Sequence, residues 1–118
     1  MSKESQALLS AFHSIIEHNS NNLYELLVNH KSRNPLLNLT EAEIEELNTI
    51  SLNSQQMNVV YKGVIAMGEG IVFELLCIID GVADVENTIP DLAIVDRETK
   101  NEIVNRFWHD EFIASLKD

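Results

Sequence analysis

The sequence contains few of the residues that cross-link or interrupt small folds. It has one cysteine, two prolines, four glycines and one tryptophan in 118 residues. The single cysteine, Cys77, excludes an internal disulfide and a Cys-x-x-Cys zinc site. No apolar run reaches the ~20 residues of a membrane span, and the first residues lack the basic and apolar segments of a secretory signal. We therefore expect a cytoplasmic protein without a membrane-spanning segment.

Basic residues are also scarce. Eight Lys and Arg stand against 19 Asp and Glu, which gives a formal net charge of −11. Residues 39–96 hold eleven of the acids and one base, Lys62. The negative electrostatic field of these acids repels nucleic-acid phosphates and anionic lipids, and it raises the association rate of basic partners. We expect no binding to nucleic acid or membrane, and the charge either attracts a basic protein partner or only maintains solubility.

Apolar residues make up 45% of the chain and recur with a helical period. This pattern predicts a single all-α domain over residues 1–118, built as a small bundle of about four helices. The first helix is predicted over residues 5–31, because its apolar stripe stays in phase across the polar segment 19–22. Pro35 ends this segment by disfavouring helix at the residue before it.

The best local motif is a capping box formed by Thr40 and Glu43. It predicts a short helix over residues 41–49, with Ile44 and Leu47 facing inward. A third helix, predicted over residues 54–80, is apolar around most of its circumference, so we expect it to be the long central helix of the fold. Gly81 is well placed to end it.

The segment 82–95 is predicted to be a loop, with a short extended piece near residues 92–95 as a further expectation. Asp96 then resembles the N-cap of a last helix over residues 97–116. This helix carries Trp108 and Phe112, so we expect it to close the core.

Motifs for catalysis are missing from the sequence. It has no phosphate-binding loop, no Gly-x-Ser-x-Gly and no His-Glu-x-x-His. The four histidines are dispersed and are expected at the surface. We therefore predict a non-catalytic protein with no catalytic residue, no cofactor and no metal site.

Two sets of residues are candidates for binding. The first set is acidic and is predicted to contact a basic partner; it comprises Glu41, Glu45, Glu46, Asp84, Glu86 and Asp91. The second set, Gly63, Gly70 and Glu74, lies on the third helix and is predicted to form a cleft or a subunit interface. Glu74 interrupts an apolar face, and it either marks that site, faces solvent or pairs with Arg97, Arg106 or a histidine.

Three functions are compatible with these features. The first is an acidic protein that masks a basic protein partner, in the manner of an immunity protein, an antitoxin or an inhibitor. The second is a homodimeric structural or adaptor protein that pairs through its third helix. The third, which has the least support, is a small metal or ligand binder that uses Glu69, Glu74 or Asp80.

Overall fold

The computed structural model describes residues 2–31, 34–82, 91–103 and 107–116, and it confirms the all-α prediction. Its four helices are α1 (Lys3–Asn29), α2 (Glu41–Leu47), α3 (Ser54–Ile79) and α4 (Trp108–Ser115). Across these described ranges no residue belongs to a strand. None of the described helices is long and apolar enough to cross a membrane.

Contacts divide the chain into two compact units. Unit 1 comprises Met1–His13 and Glu69–Asp118, and unit 2 comprises Ser14–Gly68. One part of α1 and one part of α3 belong to unit 1, and the remaining part of each helix belongs to unit 2. That the chain forms one domain stays a prediction.

Helix α1 is a single helix, as its unbroken apolar stripe predicted. Its start is capped by Ser2, whose Oγ accepts the backbone N–H of Ser5 at 3.1 Å. Within the polar segment, Ser20 Oγ donates to the carbonyl of Ile16 at 2.7 Å, and Asn19 Nδ2 donates to that of Ile15 at 2.8 Å. These side chains bond to carbonyls one turn back in the same helix, so the segment continues the helix.

Local capping signals set the boundaries of α2 and α3. The capping box is confirmed, because Glu43 N–H donates to Thr40 Oγ1 and Thr40 N–H donates to Glu43 Oε1. Asn53 and Gln56 form the same reciprocal pair at the start of α3, at 2.8 and 3.0 Å. The end of α3 is confirmed at Gly81, which has a φ of +76° and donates its N–H to the carbonyl of Ile78.

The predicted start of the last helix is wrong. Helix α4 begins at Trp108, and Asp96 instead accepts the N–H groups of Glu98 and Thr99 in a tight turn. That turn is closed by an isolated antiparallel bridge between Val95 and Glu102. An Asp that begins a turn accepts the same N–H groups as an Asp that caps a helix, so the local signal is ambiguous. The expected extended piece near residues 92–95 is limited to this single bridge.

Unit 1 has its core where the first turns of α1, the C-terminal part of α3 and α4 pack together. Phe112 is fully buried, and Trp108, Leu76 and Leu9 are each at most 4% exposed. His13 stacks on Phe112, with their ring centroids 5.1 Å apart. The prediction that the last helix closes a core is therefore confirmed for α4.

Unit 2 has its core between the rest of α1, α2 and the first half of α3. Ile16, Leu47 and Met57 are its buried apolar side chains. The two long helices run antiparallel here, since Ile16 lies against Gly68 while Asn21 accepts a hydrogen bond from Tyr61. A Cβ added at Gly68 would lie 3.0 Å from Ile16 Cγ2, so this glycine permits the close approach of α1.

Candidate functional site

An apolar groove lies in unit 2 between the C-terminal part of α1, the segment after it and α2. Its volume is about 570 Å³. The large apolar side chains that line it are Leu26, Leu27, Leu37, Leu39, Leu47 and Ile50. Glu43 and Glu46 of α2 also line it, and among the described residues they are its only charged ones. We call this feature the acidic groove.

Two of the four glutamates of α2, Glu43 and Glu46, line this groove. The predicted partner-binding acids Glu41, Glu45 and Glu46 are all exposed, but only Glu46 is part of the lining. The pKa of Glu43 is lowered by hydrogen bonds from the backbone and side chain of Thr40. Glu43 is therefore ionised at neutral pH and is held at the first turn of α2, where the helix dipole favours a carboxylate.

The other predicted acids are not part of this groove. Asp91 is exposed and belongs to unit 1. Asp84 and Glu86 lie outside the described residues. Whether any of these acids contacts a partner stays a prediction.

Apolar side chains near the acidic groove are unusually exposed. Leu36, in the segment that leads into it, is 91% exposed, and Ile44 of α2 is 43% exposed. Ile44 was predicted to face inward and is instead exposed, since Leu47, one turn further on, is the residue of the seven-residue helix α2 that is buried. These exposed residues extend the apolar surface available to a partner.

The second predicted set lies on the exposed side of α3. A Cβ added at Gly63 or Gly70 would meet no atom within 4 Å, so no helix of this chain uses these glycines to approach. Glu74 is also exposed, which agrees with the interpretation that it faces solvent. The role of this set in a cleft or subunit interface stays a prediction.

A second depression in unit 2, which we call the α1/α3 cleft, lies between the antiparallel parts of those helices. Its volume is about 520 Å³. Helix α1 contributes Asn21, Tyr24 and Val28, and α3 contributes residues between Ser54 and Tyr61. In the part of the chain that the structure describes, none of the lining residues is charged. Sequence reasoning missed this cleft, because its walls are more than twenty residues apart in the chain.

Two histidines of unit 1 have structural partners, so the expectation that all four lie free at the surface is wrong. His109 donates both its backbone N–H, at 2.8 Å, and its ring Nδ1–H to Asp80 Oδ2. The Asp80 side chain is only 5% exposed. Because no side chain of α4 itself caps that helix, Asp80 supplies the cap from the end of α3.

The second histidine, His13, lies beside a serine. His13 Nε2 is 2.8 Å from Ser115 Oγ, and the same hydroxyl is 2.6 Å from the carbonyl oxygen of Phe112. When the hydroxyl donates to that carbonyl, His13 Nε2 is the donor to Ser115 Oγ. This bond joins α1 to the end of α4 within unit 1.

The described residues contain no cluster of three or more His, Cys, Asp or Glu side chains that could hold a metal ion. Cys77 is buried, as predicted. Burial raises the pKa of its thiol, and the negative charges of Asp80, Asp110 and Glu74 raise it further. A thiol in this environment stays protonated and is a poor nucleophile.

No protein-family model matches the sequence, and comparison with curated proteins and with solved structures found no match. The function of this chain is therefore argued from its own residues.

Proposed function

We propose that this chain is a non-catalytic acidic protein that binds and masks a basic segment of a protein partner, in the manner of an immunity protein, antitoxin or inhibitor. The observation that supports this proposal is the acidic groove, whose floor is apolar and whose only charged lining residues, within the described ranges, are Glu43 and Glu46. A surface of this composition is complementary to a segment that combines apolar anchors with Lys or Arg side chains.

The apolar and charged parts of the groove contribute differently. Exposed ion pairs add only about 0–1 kcal/mol each, so the glutamates alone would not give a tight complex. A partner's apolar side chain buried among the groove leucines would contribute about 1.5–3 kcal/mol. The affinity therefore comes mainly from the apolar floor, and the acids supply orientation and a fast, salt-dependent association.

The decisive experiment compares two charge-changing variants that have the same net charge. The first changes the two acids that line the groove, with Glu46→Lys and with Glu43→Gln, which keeps a side chain able to form the capping box. The second makes the same two changes outside the groove, with Glu17→Lys and Glu4→Gln at exposed positions. Each variant captures binding proteins from a lysate of the source cells at low and high salt. The affinity of the purified partner is then measured for both.

We expect the wild type and the second variant to bind a basic protein, and to bind it more tightly at low salt than at high salt. We expect the first variant to lose this binding. An equal loss of affinity for the partner in both variants would show that only the overall negative charge matters, and it would reject the groove as the site. Capture of an acidic protein through the groove would contradict the proposal itself. Circular dichroism confirms that both variants keep the helical content of the wild type.

A homodimer is the second candidate function, and the exposed side of α3 favours it. In unit 2 this side carries Val59 and Met67, which are 70% and 60% exposed, next to Gly63. In unit 1 it carries Ile71 and Leu75, which are 53% and 54% exposed. Large apolar side chains exposed at helical spacing are typical of a face that a second copy covers.

Replacing Gly70 with Arg tests this candidate cleanly, because the site has open space around it and the fold should not change. Sedimentation velocity of the wild type should show a dimer that this variant converts to a monomer. A wild type that is monomeric at high concentration, or a dimer that Gly70→Arg does not affect, would rule out this interface.

A further inference from the structure

The lining of the α1/α3 cleft restricts the charge of its ligand. Among the described residues, its lining contains neither a base, which an anion such as a phosphate would need, nor an acid, which an ammonium group would need; the charged residue Glu25 lines a separate depression that shares Asn21 and Tyr24. The net charge of −11 also opposes the approach of nucleotides and other anions. A ligand that fits this cleft is therefore uncharged.

The polar groups of the lining are rich in both donors and acceptors. Three of them are carboxamides, those of Asn21, Asn53 and Asn58, and each has two N–H donors. The oxygens of Asn21 and Asn53 already accept bonds from Tyr61 and Gln56, and no bond is described for the oxygen of Asn58. The hydroxyls of Tyr24 and Tyr61 donate and accept as well. Neighbouring hydroxyl groups of a sugar ring also donate and accept, so they match this lining.

The apolar part of the cleft provides a surface for one face of a ring. Tyr24, Val28 and Leu52 of the lining are 45%, 43% and 36% exposed. A sugar ring has a C–H face that packs on such a surface while its hydroxyl edge reaches the amides. Aromatic side chains give large apolar contact with a polar group at one end, which suits this type of ligand.

The cleft is short and matches a small molecule in size. Its α1 wall extends from Asn21 to Val28, which is about 10 Å at the helical rise. At one end Tyr61 donates across the cleft to Asn21 at 3.4 Å. At the other end the segment at Leu52 and Asn53 forms part of the lining. The volume of about 520 Å³ lies within the range of about 300–1,000 Å³ for small-molecule sites.

We propose that the α1/α3 cleft is a binding site for a neutral carbohydrate of one or two pyranose rings. This site is separate from the acidic groove and shares no lining residue with it. Its occupancy does not depend on the protein partner. Because the cleft is open to solvent and the ligand is small, we expect a Kd on the order of 1 mM.

The test is an NMR titration of the isotope-labelled full chain with methyl glucoside, methyl mannoside and chitobiose, and separately with adenosine. At least one sugar should cause saturable shifts of the side-chain amide signals of Asn21 and Asn58. If no sugar shifts these signals at concentrations well above the expected Kd, the proposal is wrong. Saturable shifts with adenosine alone would replace the carbohydrate with a nucleobase as the ligand class.

Two matched variants confirm the location. Asn58→Ala removes one lining amide from an exposed helical position and should weaken sugar binding about fivefold. Asn19→Ala removes an exposed amide of α1 that bonds within its own helix and does not line the cleft, so it should bind like the wild type. Equal affinities for Asn58→Ala and the wild type would place the sugar elsewhere and overturn the proposal. The titration contains no protein partner, so its failure leaves the masking function untouched.

Discussion

The three glycines inside α3 allow one substitution to be compared in different surroundings. Replacing Gly63, Gly68 or Gly70 with Ala improves helix propensity by about 1 kcal/mol at each position. At Gly63 and Gly70 the new methyl group meets open space. Those two variants should therefore be more stable than the wild type by about that amount.

At Gly68 the same methyl group would lie 3.0 Å from Ile16 Cγ2 and 3.4 Å from its Cγ1. Ile16 is only 7% exposed, so it has little room to move away. Overpacking of this kind costs about 1–3 kcal/mol, which equals or exceeds the gain in propensity. We expect Gly68→Ala to be neutral or destabilising, and about 1–3 kcal/mol less stable than Gly63→Ala.

Urea unfolding followed by circular dichroism measures these differences, provided that all variants unfold with the same slope. The double variant Ile16→Ala, Gly68→Ala serves as the internal control, because removal of Ile16 should restore the propensity gain at Gly68. A Gly68→Ala protein as stable as Gly63→Ala would refute the close approach of α1 to α3 in unit 2.

Other contacts make further predictions. Asp80→Ala should lower the free energy of unfolding by about 1–3 kcal/mol, because it removes the acceptor of two His109 hydrogen bonds; no measurable loss in urea unfolding would contradict this. The pKa of Glu43 is lowered in the fold, so the stabilisation by its carboxylate is complete at neutral pH and is lost as the pH falls through the lowered pKa. The dependence of helicity on pH in the acid range should therefore differ between the wild type and Thr40→Ala. Native Cys77 should react with a disulfide reagent only as fast as unit 1 opens, and labelling at the rate of a free thiol would exclude its burial.

The first three helices were predictable because their signals are local. The stripe of α1, the Thr40 and Glu43 pair of α2 and the terminal Gly81 of α3 each act within a few residues of their own element. The start of α4 was not predictable from such signals. Asp96 offers the same two hydrogen bonds to a turn and to a helix, and here Lys100, with a φ of +64°, continues the turn.

The candidate sites were only partly visible in the sequence. The glutamates of α2 stood out because acids cluster there, but the groove beside them depends on leucines of α1 that only the fold brings close. Spacing pointed to Gly63 and Gly70 as the sites of close helix approach. The actual approach is at Gly68, because the angular position of Ile16 on α1 decides which glycine faces it.

The division into two units has a consequence for the order of folding during synthesis. Unit 2 is contiguous over residues 14–68, so its helices can associate while the rest of the chain is still being translated. Unit 1 joins residues at opposite ends of the described chain, and the bond between His13 and Ser115 spans 102 positions. Its core cannot form until Phe112 has left the ribosome. Until then Leu9 and Leu76, buried in the finished protein, lack the helix that covers them, and a chaperone would find its binding site there.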